Sequence, residues 1–443
     1  MQIFSYISTR TFFIKDSYSV SLIYDSCNNI SYFLKGVSSN IWAQIVECND
    51  YKKLKFYATK NNINSELDSL LYELKEKQII KCDEQFEKST FDFLSNAISV
   101  KSKNFDYFIE KWKKLSASLG LIDTLIMELS YKCNLRCKHC YNHKNIDDFI
   151  SFEDAKKTID QAYEFGIRSV RLTGGECTIH KDFLKICEYI RSKRLELHIY
   201  SNGQVLSDDE EFYSKLINLY PSHIQLSIYS MDPDKHDYIT GVKGSFKKTI
   251  NLINKLRNTS ICIDIATPVL SYNFDCYKEI LKYANSIGAT FHDNCIFTNN
   301  PENNNLVSKL SYEQIKQFYL DKYGHDSILP RFKKDNYSIC EAGYDRLCVT
   351  PNLDVTPCVA FDYKLGNLNT TTLMEIYKTK LDEFKKIFIR KNLTDCFNFE
   401  YCKYCHYCPD MSILDNTFMK KRPILCENAK AYYNSVVIDK KDC

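Results

Sequence analysis

The chain has 443 residues, 44% of them hydrophobic and 26% charged, with a formal net charge of +3. That length allows two or three domains around a sizeable core, and the composition is that of an ordinary soluble globular protein. So small a charge gives no footing for nucleic acid or an anionic membrane.

The first twenty residues are interrupted by Arg10, Lys15 and Asp16 and lack the apolar core of a signal peptide. No apolar run approaches bilayer-crossing length, so a cytoplasmic protein with no membrane partner is expected. Residues 1–92 show β-like runs at 20–24 and 30–33, then helical patterns. The stretch 67–80 places Leu67, Leu70, Leu71 and Leu74 at helical spacing. A connecting helix is expected at 101–114, within a linker spanning 93–120.

From 121 to about 297 strand and helix patterns alternate. Strands are expected at 125–130, 169–173, 195–200, 224–229, 261–267 and 290–296. One intervening helix opens at Ser151, with Asp154 in a near capping box, and stops at Gly166. Another sets Phe246, Ile250, Ile253 and Leu256 on one face. Such repetition implies an α/β fold with a parallel sheet, open or curved into part of a barrel. Residues 298–335 are polar at first and then helical. The last hundred or so are cysteine-rich with few periodic elements.

Twenty cysteines in a reducing cytosol point to metal binding or catalysis rather than disulfides. One group falls at 133–140 and another at 340–426. The remainder (Cys27, Cys48, Cys82, Cys177, Cys187, Cys262, Cys276, Cys295, Cys443) read mostly as small core residues or inert thiols. Cys133, Cys137 and Cys140 follow the first strand of the alternating region as C-x3-C-x2-C. Three thiolates in one loop can hold a four-iron cluster and leave one iron open for a cofactor. A structural zinc loop is the alternative, with His139 or His143 as fourth ligand.

The stretch from Cys133 to Asn142 resembles the signature loop of the radical S-adenosylmethionine superfamily, and later motifs fall where that family places them. Gly174-Gly175-Glu176 follows the second strand and would contact the methionine amine. The family usually continues with Pro, whereas here Cys177 would bring a thiol close to the cofactor. Ser201-Asn202-Gly203 resembles the family's turn after the third strand. Ser227 in the fourth strand would contact the cofactor's carboxylate or ribose, and residues 237–246 resemble the loop and helix that follow. Taken singly, the glycines and the Ser-Asn-Gly are ordinary turns. Their order behind the cysteine triplet, near the C-terminal ends of strands, is what a barrel active site requires. The resemblance implies a partial (β/α)6 TIM-like barrel at 121–330. It also implies that S-adenosylmethionine on a [4Fe-4S] cluster generates a 5′-deoxyadenosyl radical. An electron donor of the flavodoxin or ferredoxin type would be needed.

Residues 340–358 resemble the opening of the SPASM extension, which carries one or two auxiliary [4Fe-4S] clusters, here expected over 331–443. The implied ligands are Cys340, Cys358, Cys396, Cys402, Cys405, Cys408 and Cys426, with Cys348 treated as a strand residue. The match departs from the pattern at Leu353, where the family has Gly. Downstream the chain has C-x5-C-x2-C-x2-C in place of the usual spacing, and zinc on Cys402, Cys405, Cys408 and Cys426 is the competing reading.

Residues 1–92 resemble the winged-helix module that captures leader peptides by strand addition; a plain packing or dimerisation domain is the alternative. Together these resemblances imply a maturase of a ribosomally made precursor peptide. Hydrogen abstraction and oxidative cross-linking, first of all a cysteine thioether, would be its reaction. The rivals are a maturase of a protein active site or redox cofactor, such as the sulfatase-activating type, and a zinc-stabilised peptide-binding protein. No general base can be named, and nothing singles out one of the 32 tyrosines.

Overall fold

A computed structural model of the chain describes residues 122–140, 148–294 apart from 260, 310–323, 408 and 423–438. It also describes 340–405 apart from 341, 360, 362, 394, 395, 397 and 398, together with strands and helices between 4 and 99, most continuously 30–81. The connecting helix expected at 101–114 lies outside these residues, as do Cys27, Cys82, His143, Cys295 and Cys443.

The N-terminal region builds its own core. Strands β1 (Phe4–Ser5), β2 (Thr9–Phe13), β3 (Val20–Asp25), β4 (Ile30–Lys35), β5 (Ile80–Lys81) and β6 (Ile98–Ser99) form an antiparallel sheet in the order β2-β3-β4-β6 and a separate β1-β5 pair. Gly36, at φ +60°, turns β4 into helix Val37–Cys48. Asp50 then caps helix Tyr51–Asn61 by accepting from the Lys53 N–H at 3.1 Å. Leu67, Leu70, Leu71 and Leu74 are buried beside Trp42, as their spacing predicts. Their helix, Asn64–Glu76, is shorter than the expected 67–80. The chain breaks so that Ile80 can pair with Ser5 in a strand.

The central sheet has nine strands among the described residues. Six parallel ones run in sequence order: β7 (Thr124–Glu128), β8 (Ser169–Thr173), β9 (Glu196–Ser201), β10 (His223–Ser227), β11 (Cys262–Pro268) and β12 (Thr290–Asn294). Each lies within about two residues of its expected place. Alternation assigns the two faces. Leu125, Met127, Val170, Leu172, Leu197, Ile199, Ile224 and Leu226 pack into the main core with the helices. Ile126, Arg171, His198, Gln225, Asp264 and His292, one from each strand, line a single cavity, so the sheet curves into part of a barrel.

Helix Phe152–Phe165 begins and ends where the sequence predicts. The Ser151 hydroxyl accepts from the Asp154 N–H at 3.1 Å, and Gly166 closes the helix at φ +89°. Helix Ser245–Leu256 is rotated from expectation. Ser245, Thr249, Leu252, Ile253 and Leu256 are buried, and Phe246 and Ile250 lie on the flank. Small hydroxyl residues occupy the closest approach because they bond there: Thr240 with Ser245 at 2.7 Å, and Gln204 to Thr249 at 3.2 Å.

The sheet does not end at residue 330. β13 (Arg346–Val349) pairs in parallel with β7, and β14 (Asp354–Thr356) and β15 (Gly366–Asn367) continue antiparallel. Cys348 is a buried strand residue, as treated above. Among the described residues, no helix is long and apolar enough to cross a membrane.

Candidate active site at the barrel rim

The cysteine loop leaves β7 with its side chains alternating. Cys133, Leu135, Cys137, His139 and Cys140 line the cavity, while Lys132, Asn134, Arg136 and Lys138 are exposed. The loop is pinned by backbone. Arg136 N–H donates to Thr240 O at 2.9 Å and Lys138 N–H to Ile239 O at 3.0 Å, tying it to helix Pro233–Thr240. On its other side Gly175 N–H donates to Ser130 O at 2.7 Å and Glu176 N–H to Lys132 O at 2.9 Å. The approach is so close that a Cβ on Gly174 would stand 2.2 Å from Ser130 O. Gly174 is also at φ +134°, so the glycine pair is a requirement of this contact.

Glu176 organises the rim. Its buried carboxylate accepts from the Ser201 hydroxyl at 2.7 Å, the Asn202 N–H at 2.7 Å and the Thr178 N–H at 3.1 Å. Burial raises its pKa against the opposing pull of these donors. Asn202 in turn donates from Nδ2 to Asn134 Oδ1 at 2.6 Å and lies 3.8 Å from Cys133 Sγ. The turns after β8 and β9 are thus locked to the cysteine loop. Cys177 is the exception. Its thiol is fully buried in the main core, donates to Tyr200 O at 3.3 Å, and does not line the cavity. Of its two readings, small core residue and thiol beside the cofactor, the burial supports the first.

Ser227 lines the same cavity, next to a residue that the sequence did not single out. The buried Tyr229 hydroxyl neighbours Ser227 and Cys137, and its ring meets His139 edge-on at 4.8 Å. Burial pushes the Cys133 thiol up to about 11 and the Cys137 thiol to about 12. The neighbouring charges of Glu176 and Cys140 reinforce the first, and those of Cys140 and Cys133 the second. Bare thiols so placed resist ionisation, whereas bound iron would supply the compensating charge. Three thiols on one cavity wall, with a carboxylate-ordered ledge beside them, fit a cluster and an amino-acid-bearing cofactor. Among the described residues, no three His, Cys, Asp or Glu side chains converge as one metal ion would require.

In the C-terminal region Cys340, Cys358, Cys396, Cys405 and Cys408 are half-buried against the main core. Cys402 is buried in the turn Glu400–Tyr404, on which helix Pro423–Tyr432 packs, carrying Cys426; both thiols neighbour Tyr401. Buried Cys348 faces Glu128 and Cys358.

Below the rim the cavity, about 730 Å³, is unexpectedly polar. His198 stacks on His223 at 4.5 Å, His223 bonds Asp264 at 3.2 Å, and Arg171 reaches the Tyr200 hydroxyl at 2.9 Å. Burial and the nearby His223 and Arg171 hold His198 down to about 3. A period-two run of polar residues within otherwise apolar strands was the available signal for this layer.

Comparison with known proteins agrees with this geometry. Residues 127–284 match the radical SAM superfamily, and residues 340–409 match SPASM, an iron–sulfur cluster-binding domain. The cofactors are accordingly S-adenosylmethionine and four-iron clusters. The subtilosin biosynthesis protein AlbA of Bacillus subtilis is 25% identical over 57% of this chain and 59% of its own length. The sporulation killing factor maturation protein SkfB of the same species is 26% identical over 56% and 63%. The chain therefore spans about three-fifths of these two relatives. An AdoMet-dependent heme synthase of Nitratidesulfovibrio vulgaris is 24% identical over 63% of this chain and 85% of its own length. The crystal structure of Streptococcus suis SuiB bound to its precursor peptide SuiA superposes over 96% of this chain and 99% of that one. Its TM-score is 0.56 at 14% identity, a likeness of fold.

Proposed function

We propose that this chain, a radical S-adenosylmethionine protein with a SPASM extension, matures a ribosomally made precursor peptide. The carrying observation is that the three thiols, the Gly174–Glu176 ledge, Asn202 and Ser227 share one rim above one polar cavity. Cys133, Cys137 and Cys140 would hold the radical-generating cluster, with Gly174, Gly175, Glu176, Ser201, Asn202 and Ser227 around the cofactor. When bound, that pair supplies an acceptor strong enough to take a hydrogen atom from a peptide carbon. The chain's own part is to seat the cofactor, exclude water and hold the peptide below the rim. Relatives named for bacteriocin biosynthesis, killing-factor maturation and PqqA peptide cyclisation support a peptide substrate.

The finer reading is oxidative cross-linking, with a thioether first. A C–H and an S–H bond are replaced by C–S. One hydrogen atom goes to the cofactor, one proton to solvent, and one electron to an auxiliary cluster. Cys340, Cys358, Cys396, Cys402, Cys405, Cys408 and Cys426 would ligate one or two such clusters. Residues 1–92, as a winged-helix-like module, would hold the leader peptide, joined by 93–120 to the core at 121–330 and the extension at 331–443. A flavodoxin or ferredoxin would be the reductant, and the setting cytoplasmic.

The test is anaerobic co-expression with short reading frames encoded beside the gene, followed by mass spectrometry of each peptide. A loss of two hydrogens that disappears in Cys137→Ala is expected. An unchanged peptide mass rejects cross-linking of that peptide. The heme-synthase relative favours a second reading, oxidation of a porphyrin precursor; conversion of an added porphyrin alongside unmodified peptides would select it.

A further inference from the structure

One guanidinium in the cavity wall has no counter-ion among the described residues. Arg171 projects from β8 and uses Nη1 to donate to the Tyr200 hydroxyl at 2.9 Å, while its Nε is sealed from solvent without a hydrogen-bond partner. The carboxylates nearby are committed elsewhere. Asp123 and Glu196 pair with Arg168, Asp264 with His223 and His292, and Asp345 with Arg346. The register partner of Arg171 on β9 is His198, which carries no charge at neutral pH because it is held down to about 3. A half-buried cation without an anion is costly, and a bound anion offsets that cost.

Its height in the barrel narrows the ligand. Arg171 stands three residues before Gly174, about 10 Å along the strand below the Gly174–Glu176 ledge. That is the space left for substrate when the cofactor sits at the rim. A planar guanidinium suits a carboxylate, and Tyr200 adds a hydroxyl to the same wall. We propose that Arg171 and Tyr200 form a carboxylate-binding subsite, and that it takes an acidic side chain or the C-terminal carboxylate of the peptide being modified. The peptide as source rests on the maturase reading; the subsite does not.

The subsite is tested by labelling cluster-loaded protein with phenylglyoxal and quantifying modification of Arg171 by peptide mapping. Glutarate is expected to protect Arg171, and glutaramide at equal concentration is not. Protection by neither overturns the subsite and assigns the open nitrogen to a buried water. Full protection by S-adenosylmethionine alone also overturns it, because the guanidinium then serves the cofactor's carboxylate. With a peptide that the wild type modifies, Arg171→Gln should lower the modified fraction about tenfold or more. One carboxylate position in the peptide, an acidic side chain neutralised by substitution or the C-terminus made as its amide, should show the same loss, with no further loss in the variant. Absence of any such position overturns the peptide as source. If the wild type modifies no peptide, the maturase reading fails while the labelling still decides the subsite.

Discussion

A Cβ at Gly175 would stand 2.2 Å from the Lys132 carbonyl oxygen and 2.5 Å from that of Tyr131, backbone atoms that cannot rotate aside. Gly175→Ala must therefore push the cysteine loop off the turn that pins it. We expect the purified variant to lose most of its iron and its brown absorbance. Gly166→Ala supplies the contrast, because no atom lies within 4 Å and the cost is only that of φ +89°. That variant should lose about 1–2 kcal/mol in urea unfolding and keep its iron. A second residue-scale expectation concerns His198. With its pKa near 3 in the fold and near 6.5 when unfolded, the unfolded chain binds more protons between those values. Stability is therefore intact above about pH 6.5 and falls as pH drops toward 3. Between pH 7 and 5 the loss should be on the order of 2 kcal/mol in urea midpoints of the cluster-free chain. His198→Gln should flatten that slope; an unchanged slope would place its origin elsewhere, for instance in His236.

Three strand starts are stitched by one side chain. Arg168, just before β8, donates at 2.7 Å to Asp123 before β7 and also pairs with Glu196 at the start of β9, all three buried. Arg168→Met leaves two buried acids unpaired and should cost about 3–5 kcal/mol, read as a lowered urea midpoint. The same scale shows what the sequence could and could not reveal. Outward apolar residues such as Leu125 and Leu197 mark the strands, and Ser151 and Gly166 mark a helix, because these signals are local. The rotation of helix Ser245–Leu256 was hidden, since hydroxyl contacts with Thr240 and Gln204 are made by residues distant in sequence. The Ser-Asn-Gly turn and the thiols were legible as motifs. Tyr229 and Arg171 were not, because only closing the barrel turns their strand positions toward one cavity. Cys177 carried two readings, small core residue and thiol beside the cofactor, because its position in a motif does not reveal which way the turn points it.

At the scale of the molecule the described residues form two separate cores. Trp42, Leu54, Leu67, Leu70 and Leu74 pack among residues that all precede 100, whereas the main core begins at Ile122. The C-terminal region is different in kind, because β13 extends the barrel sheet beside β7 and Leu347, Val349 and Val355 belong to the main core. Removal of the two ends should therefore have opposite consequences. A chain starting at residue 93 should stay soluble, retain its iron and still cleave S-adenosylmethionine to 5′-deoxyadenosine, while binding the full precursor peptide far more weakly than the intact protein. A chain ending at residue 339 uncovers the edge of β7 and should precipitate or lose its cooperative unfolding. Precursor affinity measured by fluorescence anisotropy on the first of these decides the role of the module. Undiminished binding would make residues 1–92 a packing domain and move leader recognition to the barrel or its extension.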